Sequence, residues 1–244
     1  MKFAYDTNVG QVRQVNQDRA CVLQNSNEEI FAVVCDGMGG HQAGELASTM
    51  AIESLCQSFF EASPLLNETI ALNWLNDATK QANKEIFDDA NSNRFHKGMG
   101  TTLACCLVLK DVIIIGHVGD SRVYVFEDQE LKQLTKDHTY VNLLVDSGTI
   151  TKEQAKNHPK KNILMKALGV FEDVSPTTLT IENKHQKFVV CSDGLYNALS
   201  DDEIVDILNQ KGPLAQKVLD LIQKANANGG PDNISVVLLD GGEC

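Results

Sequence analysis

The stretch VVCDGMGG, residues 33–40, joins a run of apolar residues to one aspartate and three glycines. With the residues before it, it predicts a buried β-strand over residues 31–35 (FAVVC) that ends at Asp36. Gly37 would let the backbone bend sharply and bring a carbonyl group close to a ligand. A single Asp-Gly pair after a strand is more often a turn. Whether Asp36 belongs to a turn or binds a metal therefore depends on the other strand ends.

Three more aspartates lie at the ends of apolar runs. Asp120 follows IIIGHVG, Asp193 follows FVVCS and Asp232 precedes ISVVLL. If the last strand runs antiparallel to its neighbours, these carboxylates and Asp36 lie at one edge of the sheets. Carboxylates this close repel one another and cannot all stay ionised without a counter-charge. A divalent cation supplies that charge and removes the energetic cost of the repulsion. Because the ligands are all oxygens, the set favours Mg²⁺ or Mn²⁺ over Zn²⁺.

Composition narrows the class of protein. The chain has 244 residues, 43% of them hydrophobic, which is enough to build the core of one domain over residues 1–244. A net charge of -12 disfavours nucleic acid and anionic membranes as partners. Seven cysteines without a C-x-x-C pair indicate reduced thiols, so we expect a cytoplasmic protein. The N-terminus shows no secretory signal, and no apolar run is long enough to span a membrane.

Periodicity and turn residues predict an order of helices and strands. Helices are expected over 42–60, 67–90, 201–210 and 213–227, and strands over 100–109, 112–118, 122–126, 177–181, 187–191 and 234–239. Residues 138–168 are polar and predict short helices over the surface. Short connections favour antiparallel neighbours. Strands and helices in separate blocks predict the α+β class, with antiparallel sheets.

Seven motifs follow one another along the chain. They are RQVNQDRA (13–20), VVCDGMGGHQAGELAS (33–48), GTTLACCLV (100–108), GHVGDSRVYVF (116–126), LTKDH (134–138), VVCSDGLYNALSDDEI (189–204) and GGPDNISVVLL (229–239). In this order they resemble the metal-dependent type 2C protein phosphatases, the PPM family. Residues 145–169 also resemble the flap segment of bacterial members.

The resemblance implies a fold and an activity. The fold would be a four-layer αββα sandwich of two antiparallel sheets flanked by helices, with a flap near residues 138–168. The activity would be hydrolysis of phosphoserine and phosphothreonine in proteins by a water or hydroxide that bridges two metal ions. The enzyme would be a cytoplasmic monomer that opposes a serine/threonine kinase.

The resemblance also assigns metal ligands. Asp36, Asp193 and Asp232 would hold a first Mg²⁺ or Mn²⁺ ion. Asp36 would bridge to a second ion, which also takes the backbone carbonyl of Gly37. Asp120 and Asp193 would form a third, weaker site, as in bacterial members.

Two further residues would take part in catalysis beside Asp36. Asp18 would contact the waters of the second ion, and Arg13 would bind the substrate phosphate, since a guanidinium fork suits phosphate oxygens. Two cations that share a water lower its pKa, so a nucleophile forms near neutral pH and attacks phosphorus in line. No covalent phosphoenzyme and no catalytic cysteine are needed.

One position departs from the pattern. Animal members often carry a histidine, proposed as the general acid, where this chain has Met38, and methionine cannot donate a proton. His41 is the nearest histidine and is expected at the start of a helix. Two alternatives to the phosphatase remain open at this point: an inactive family member that acts as a regulatory binding module, and a small-molecule phosphohydrolase on the same fold.

Overall fold

The computed structural model describes residues 1–40, 43–184 and 186–242, so His41 lies outside the described residues. The strands are β1 (Lys2–Asn8), β2 (Asp18–Gln24), β3 (Ile30–Met38), β4 (Gly100–Thr101), β5 (Leu103–Val108), β6 (Val112–Val118), β7 (Arg122–Glu127), β8 (Glu130–Gln133), β9 (Thr177–Glu182), β10 (Lys187–Cys191) and β11 (Ile234–Asp240). The helices are α1 (Ala43–Glu61), α2 (Glu68–Ser92), α3 (Tyr140–Asp146), α4 (Lys152–Lys156), α5 (Asp193–Tyr196), α6 (Asp201–Asn209) and α7 (Leu214–Ala227).

Two antiparallel sheets pack face to face. One has the strand order β1-β11-β10-β7-β8, and the other has the order β2-β3-β5-β6-β9, with β4 paired to the end of β3. A core of aliphatic side chains lies between the sheets and includes Val34, Ile115, Val190 and Val237. Helices α1 and α2 cover the second sheet, and α6 and α7 cover the first. The four-layer αββα sandwich is confirmed.

Helix α1 packs through a row of small and apolar residues spaced four apart. The row runs along one face of the helix and is buried throughout: Ala43, Ala47, Ala51, Leu55 and Phe59. Alanines at the first three positions let the helix approach the sheet closely, and the larger side chains fill the space near its C-terminal end. This end of the row contacts Trp74 of α2, whose ring meets that of Phe59 edge to face, with centroids 5.6 Å apart.

Helix α2 begins as the sequence predicts. The Asn67 side chain caps it by accepting a hydrogen bond from the Ile70 backbone N–H at 3.0 Å. Ile70, which the helical periodicity of residues 67–90 would place on the apolar face with Trp74 and Ala78, is 42% exposed. Its position in the first turn explains the difference, because burial against the sheet begins with Ala71 and Leu75 further along.

The elements around the aspartates differ from the prediction in three places. Strand β3 does not end at Asp36 but continues to Met38, because its last two residues pair with β4. The strand predicted over 100–109 is interrupted at Thr102, which bonds to the Asp36 backbone instead. Asp193 opens the short helix α5, which was not predicted.

Residues 138–168 contain the short helices α3 and α4, as predicted. Both begin with a threonine whose side chain caps the first turn. Among the helices of the described residues, none has the length and apolar character that crossing a membrane requires.

Candidate active site

Two neighbouring strands bring the first pair of carboxylates together. In the register of β2 and β3, Asp18 lies directly opposite Asp36. The backbone of Asp36 is held by threonines: its N–H donates to Thr102 Oγ1 at 2.9 Å, and its carbonyl accepts from the Thr102 N–H and the Thr101 hydroxyl, each at 2.9 Å. The Thr102 hydroxyl also contacts Ser121 Oγ at 2.6 Å. Hydrogen bonds to both its N–H and its carbonyl therefore fix the backbone from which the Asp36 side chain projects.

The other sheet supplies a second pair. Asp193 follows β10 and Asp232 precedes β11, and these strands are antiparallel neighbours. Just beyond the last ladder pair, the Ser192 N–H donates to the Ser235 carbonyl at 3.1 Å and the Ser235 N–H donates to Ser192 Oγ at 2.9 Å. These bonds place the two aspartates side by side. The expectation that the last strand is antiparallel is confirmed.

Glycines at two Asp-Gly pairs allow this close approach. A Cβ on Gly37 would lie 2.0 Å from the Gly44 carbonyl oxygen and 2.6 Å from that of Gln17. A Cβ on Gly194 would lie 1.9 Å from the Asn233 carbonyl oxygen. Neither glycine has a left-handed φ. Their role is thus to leave room for neighbouring backbone, and the sharp bend expected at Gly37 is absent because β3 continues through it.

Asp36 is the centre of the negative charge. Burial raises its pKa well above the usual range, and the charges of Asp18, Asp193, Asp120 and Asp232 raise it further. Burial likewise raises the pKa of Asp193 to about 6, with the charge of Asp232 adding to the effect. The Asp36 and Asp193 carboxyl groups lie within hydrogen-bonding distance of each other. Since two carboxylates in contact cannot both stay ionised, a proton between them lowers the repulsion.

Asp18 is only 1% exposed. Burial raises its pKa to about 7, while hydrogen bonds from the Ser192 and Ser235 side chains oppose the rise. Its Oδ2 atom is buried and, within the described parts of the chain, has no hydrogen-bond partner. A buried carboxylate oxygen without a donor costs free energy unless a cation or an ordered water satisfies it. The donor set at Asp18 therefore fits a bound divalent ion with its waters.

Asp120 lies where the chain passes from one sheet to the other, after β6 and before β7. Burial raises its pKa to about 7, and the charge of Asp193 adds to this. The Tyr196 hydroxyl donates to the Asp120 carbonyl at 3.0 Å. Arg122 stacks on the Tyr196 ring, with its Cζ 3.5 Å from the centroid, and binds the Asp137 carboxylate at 2.7 Å. This stack ties α5 to the loop that carries Asp120.

Arg13 is the cation at the edge of the cluster. Its Nη2 donates to Asp232 Oδ2 at 2.8 Å, and half of its side chain is exposed. This hydrogen bond raises the pKa of Arg13, and the charges of Asp193 and Asp36 act in the same direction. Asn197 Nδ2 donates to Asp193 Oδ2 at 3.1 Å. Asp232 and Asp193 thus each have one carboxylate oxygen hydrogen-bonded to a protein side chain.

The structure brings the sequence-predicted residues to one end of the sandwich. Among the described residues, however, no three acidic, histidine or cysteine side chains already surround one ion. Two of the carboxylates bond to other side chains instead: Asp232 to Arg13 and Asp193 to Asn197.

A layer of polar residues beneath the aspartates was missed in the sequence. The Thr7 hydroxyl contacts Ser235 Oγ at 2.7 Å and accepts from Asn16 Nδ2 at 2.8 Å. Asn233 accepts from the Gln17 N–H at 2.8 Å and donates to two backbone carbonyls. In the sequence, such residues can be recognised as polar residues inside or beside an apolar strand. Ser235 in ISVVLL is one of them, because the alternation of the strand does not require a serine there.

The chain is similar to known proteins over nearly its whole length. A family model described as Protein phosphatase 2C matches residues 9–237. The serine/threonine phosphatase stp of Listeria welshimeri is 40% identical over 98% of this chain and 96% of its own. A Streptococcus agalactiae serine/threonine phosphatase superposes with a TM-score of 0.91 at 36% identity, covering 97% and 98% of the two chains. The catalytic domain of the protein phosphatase PstP, solved with two manganese ions, gives 0.84 at 35% identity, covering 98% and 97%.

Proposed function

Because this chain belongs to the protein phosphatase 2C family and is a serine/threonine phosphatase, we propose that its clustered aspartates hold the metal ions that hydrolyse the phosphate ester. The observation that carries the proposal is the position of Asp36. The residue is partly buried, and desolvation together with the charges of four other carboxylates raises its pKa well above the usual range. Such a concentration of negative charge requires a counter-ion of more than one charge.

The ligand set divides between the sheets. Asp36, Asp193 and Asp232 would hold the first ion. Asp36 and the Gly37 carbonyl would hold the second, with Asp18 binding its waters through the oxygen that lacks a protein partner. Both ions would be Mg²⁺ or Mn²⁺, since all the donors are oxygens.

A third and weaker ion site would form between Asp120 and Asp193. The charge of Asp193 raises the pKa of Asp120. Each of the two carboxyl groups therefore makes ionisation of the other less favourable. The Tyr196 hydrogen bond keeps the Asp120 backbone next to α5, whose first residue is Asp193. This site would therefore share one ligand with the first ion.

When bound, the divalent ions would lower the pKa of a water between them and neutralise charge on the phosphoryl oxygens. Arg13 contributes from the protein side. Its half-exposed guanidinium, paired with Asp232, can turn to a phosphate and bind two of its oxygens. Asp36 and Asp18 would help to orient the attacking water, so that it approaches phosphorus in line with the leaving oxygen.

The leaving serine or threonine oxygen needs a proton. Met38 lies at the end of β3 beside Gly100 and has no proton to give. Since the side chain at this position is partly exposed, we infer that solvent water protonates the leaving group. The side chain at position 38 therefore cannot act as the general acid.

The substrates would be phosphoproteins modified by a serine/threonine kinase. The net charge of -12 argues against nucleic acid and anionic membranes as partners. The free state of the described cysteines agrees with a cytoplasmic location. We further propose that residues 1–244 act as one catalytic domain and as a monomer.

The test is Mn²⁺-dependent release of phosphate from a phosphothreonine peptide by the wild type and two variants. Asp193→Asn should reduce kcat by about 100-fold or more, since it removes a ligand from two ions. Asp202→Asn, an exposed residue of α6, should leave kcat unchanged. Full activity in Asp193→Asn, or an inert wild type in the presence of metal, would show that the assignment is wrong. The same assay on small phosphate esters separates a protein phosphatase from a small-molecule hydrolase.

A further inference from the structure

Among the six cysteines that the structure describes, two differ from the other four in their surroundings. Cys35, Cys105, Cys106 and Cys191 are fully buried in sheet strands, whereas Cys21 and Cys56 are partly exposed. Cys21 lies on β2 and Cys56 lies on α1. The mechanism uses neither residue, and the motifs that identify the family include neither of them.

The packing of α1 on β2 brings these two cysteines to the same place. Alternation along β2 directs Cys21 to the helices, whereas Val22 packs between the sheets. The Ser48 hydroxyl of α1 donates to the Gln17 carbonyl at 2.5 Å and aligns the two elements. From residue 17 to Cys21 the strand rises about 13 Å, and from Ser48 to Cys56 the helix rises about 12 Å. The two side chains therefore lie at the same height.

A second link between the elements agrees with this alignment. Arg19 Nη2 binds Glu45 Oε1 at 2.8 Å, while its Nη1 donates to the Asn16 carbonyl at 2.9 Å. The guanidinium thus turns back along the strand to reach the first turn of α1. Helix α1 runs antiparallel to β3, because Gly44 lies beside Gly37 at one end and the Phe59 ring lies 5.5 Å from that of Phe31 at the other. Since β3 is antiparallel to β2, α1 and β2 run in the same direction, and the cysteine pair lies towards the far end of their contact.

The two thiol groups interact with each other. The Cys56 thiol donates a hydrogen bond to the Cys21 sulfur, which lowers the pKa of Cys21 to about 7 although partial burial opposes this. The same bond raises the pKa of Cys56. At neutral pH Cys21 is therefore the nucleophile of the pair, and Cys56 keeps its proton until its partner has reacted.

We propose that Cys21 and Cys56 form a modification site at which a peroxide closes an intramolecular disulfide. In the first step the Cys21 thiolate attacks one peroxide oxygen, the O–O bond breaks, and the products are a sulfenic acid and, with hydrogen peroxide, one water. In the second step the Cys56 sulfur attacks the Cys21 sulfur, the S–O bond breaks, and a second water leaves. Two thiols are oxidised by two electrons, and one peroxide is reduced.

The disulfide would link β2 to α1 across a loop of roughly 35 residues that contains Asp36. Closure of this loop restricts the unfolded chain, so the oxidised protein should melt at a higher temperature than the reduced protein. Dithiothreitol should reverse both the bond and the rise in Tm. The site needs neither substrate nor turnover, which makes it independent of the proposed phosphatase mechanism.

The experiment treats the full-length, Mg²⁺-loaded protein with one equivalent of hydrogen peroxide, blocks the remaining thiols with iodoacetamide and analyses a non-reducing digest by mass spectrometry. The expected product is a peptide pair joined through Cys21 and Cys56, lost on reduction. Cys106→Ala, which removes a buried thiol, should give the same product. Unmodified Cys21 and Cys56 after this treatment, or a disulfide to another molecule instead, would overturn the proposal.

Variants that lack one of the two cysteines distinguish the role of Cys21, which reacts first, from that of Cys56, which closes the disulfide. In Cys56→Ala the reaction should stop at the Cys21 sulfenic acid, which dimedone labels. In Cys21→Ala, Cys56 should remain a thiol that iodoacetamide alkylates. Because both residues are partly exposed, alanine at either position should leave the fold intact, as circular dichroism would verify. Dimedone labelling of Cys56 in Cys21→Ala, at the rate seen for Cys21, would contradict the assigned order.

Discussion

At the residue scale, the centre of the molecule is a set of carboxyl groups held against one another. Asp36, Asp120, Asp193 and Asp232 were predicted from their places at strand ends, because the sequence shows where apolar runs stop. Asp18 was assigned only through the resemblance to the family. The partners were not predicted. The bond from Arg13 to Asp232 joins residues 219 positions apart, and the serines beneath Asp18 act through tertiary contacts that no local pattern encodes.

Arg13 can be tested by substitution. Arg13→Ala should lower kcat/KM for a phosphothreonine peptide by about 10- to 100-fold, because a charge-assisted, two-point contact to phosphate is lost. Arg13→Lys should recover part of the loss, since it restores the charge but not the planar fork. Steady-state kinetics at saturating Mn²⁺ gives both values. Arg94→Ala, at an exposed arginine just after α2, serves as the control, and an equal loss there would contradict a specific role for Arg13.

At the element scale, the strands and helices with strong periodicity were predicted, and the weak ones were missed. The alanine row of α1 and the apolar runs of β5, β6 and β11 identify those elements. Strand β8 is short, and β1 alternates residues that are mostly exposed, so neither shows a buried face in the sequence. The extension of β3 through Gly37 could not be foreseen, since glycine after aspartate is typical of turns.

The packing around Gly37 makes an element-scale prediction. Gly37→Ala should reduce the free energy of unfolding by about 2–4 kcal/mol, because the new methyl group would overlap the Gly44 carbonyl at the start of α1. Gly40→Ala, just after β3, should change it by less than about 0.5 kcal/mol, since Gly40 has open space around its Cβ position and no left-handed φ. Urea titration followed by circular dichroism measures both. Equal losses in the two variants would mean that the close approach at Gly37 is not the cause.

At the scale of the whole molecule, the site depends on both sheets at once. Asp18 and Asp36 belong to one sheet, Asp193 and Asp232 extend the other, and Asp120 lies on the connection between them. The sandwich therefore holds like charges together, and its stability has to offset their repulsion. This cost disappears when cations bind, so metal content and folding stability are linked.

The titration of these carboxyl groups predicts the direction in which stability changes with pH. Unfolded aspartates titrate near pH 4, whereas in the folded, metal-free protein the pKa is about 7 for Asp18 and Asp120 and about 6 for Asp193. The folded state thus keeps protons that the unfolded state has lost, so stability falls as pH rises from about 4 to about 7. In EDTA, Tm should decrease from about pH 5 to about pH 8.

Calorimetry with and without Mn²⁺ tests this linkage. Saturating Mn²⁺ should raise Tm most at the alkaline end, where the carboxylates are ionised, and Asp36→Asn should flatten the slope seen in EDTA. The idea fails if Tm in EDTA rises over this interval, or if Mn²⁺ raises Tm by the same amount in Asp36→Asn as in the wild type.

The pairing of β1 with β11 has a consequence for the order of synthesis. Lys2 pairs with Asp240, and β11 lies between β1 and β10. On the ribosome, β1 therefore emerges long before the strand that it pairs with, and Asp18 and Asp36 precede Asp193 and Asp232 by more than 150 residues. The nascent chain cannot assemble its full set of carboxylates until β11 has followed. A half-made enzyme thus has no complete centre with which to act on the phosphoproteins around it.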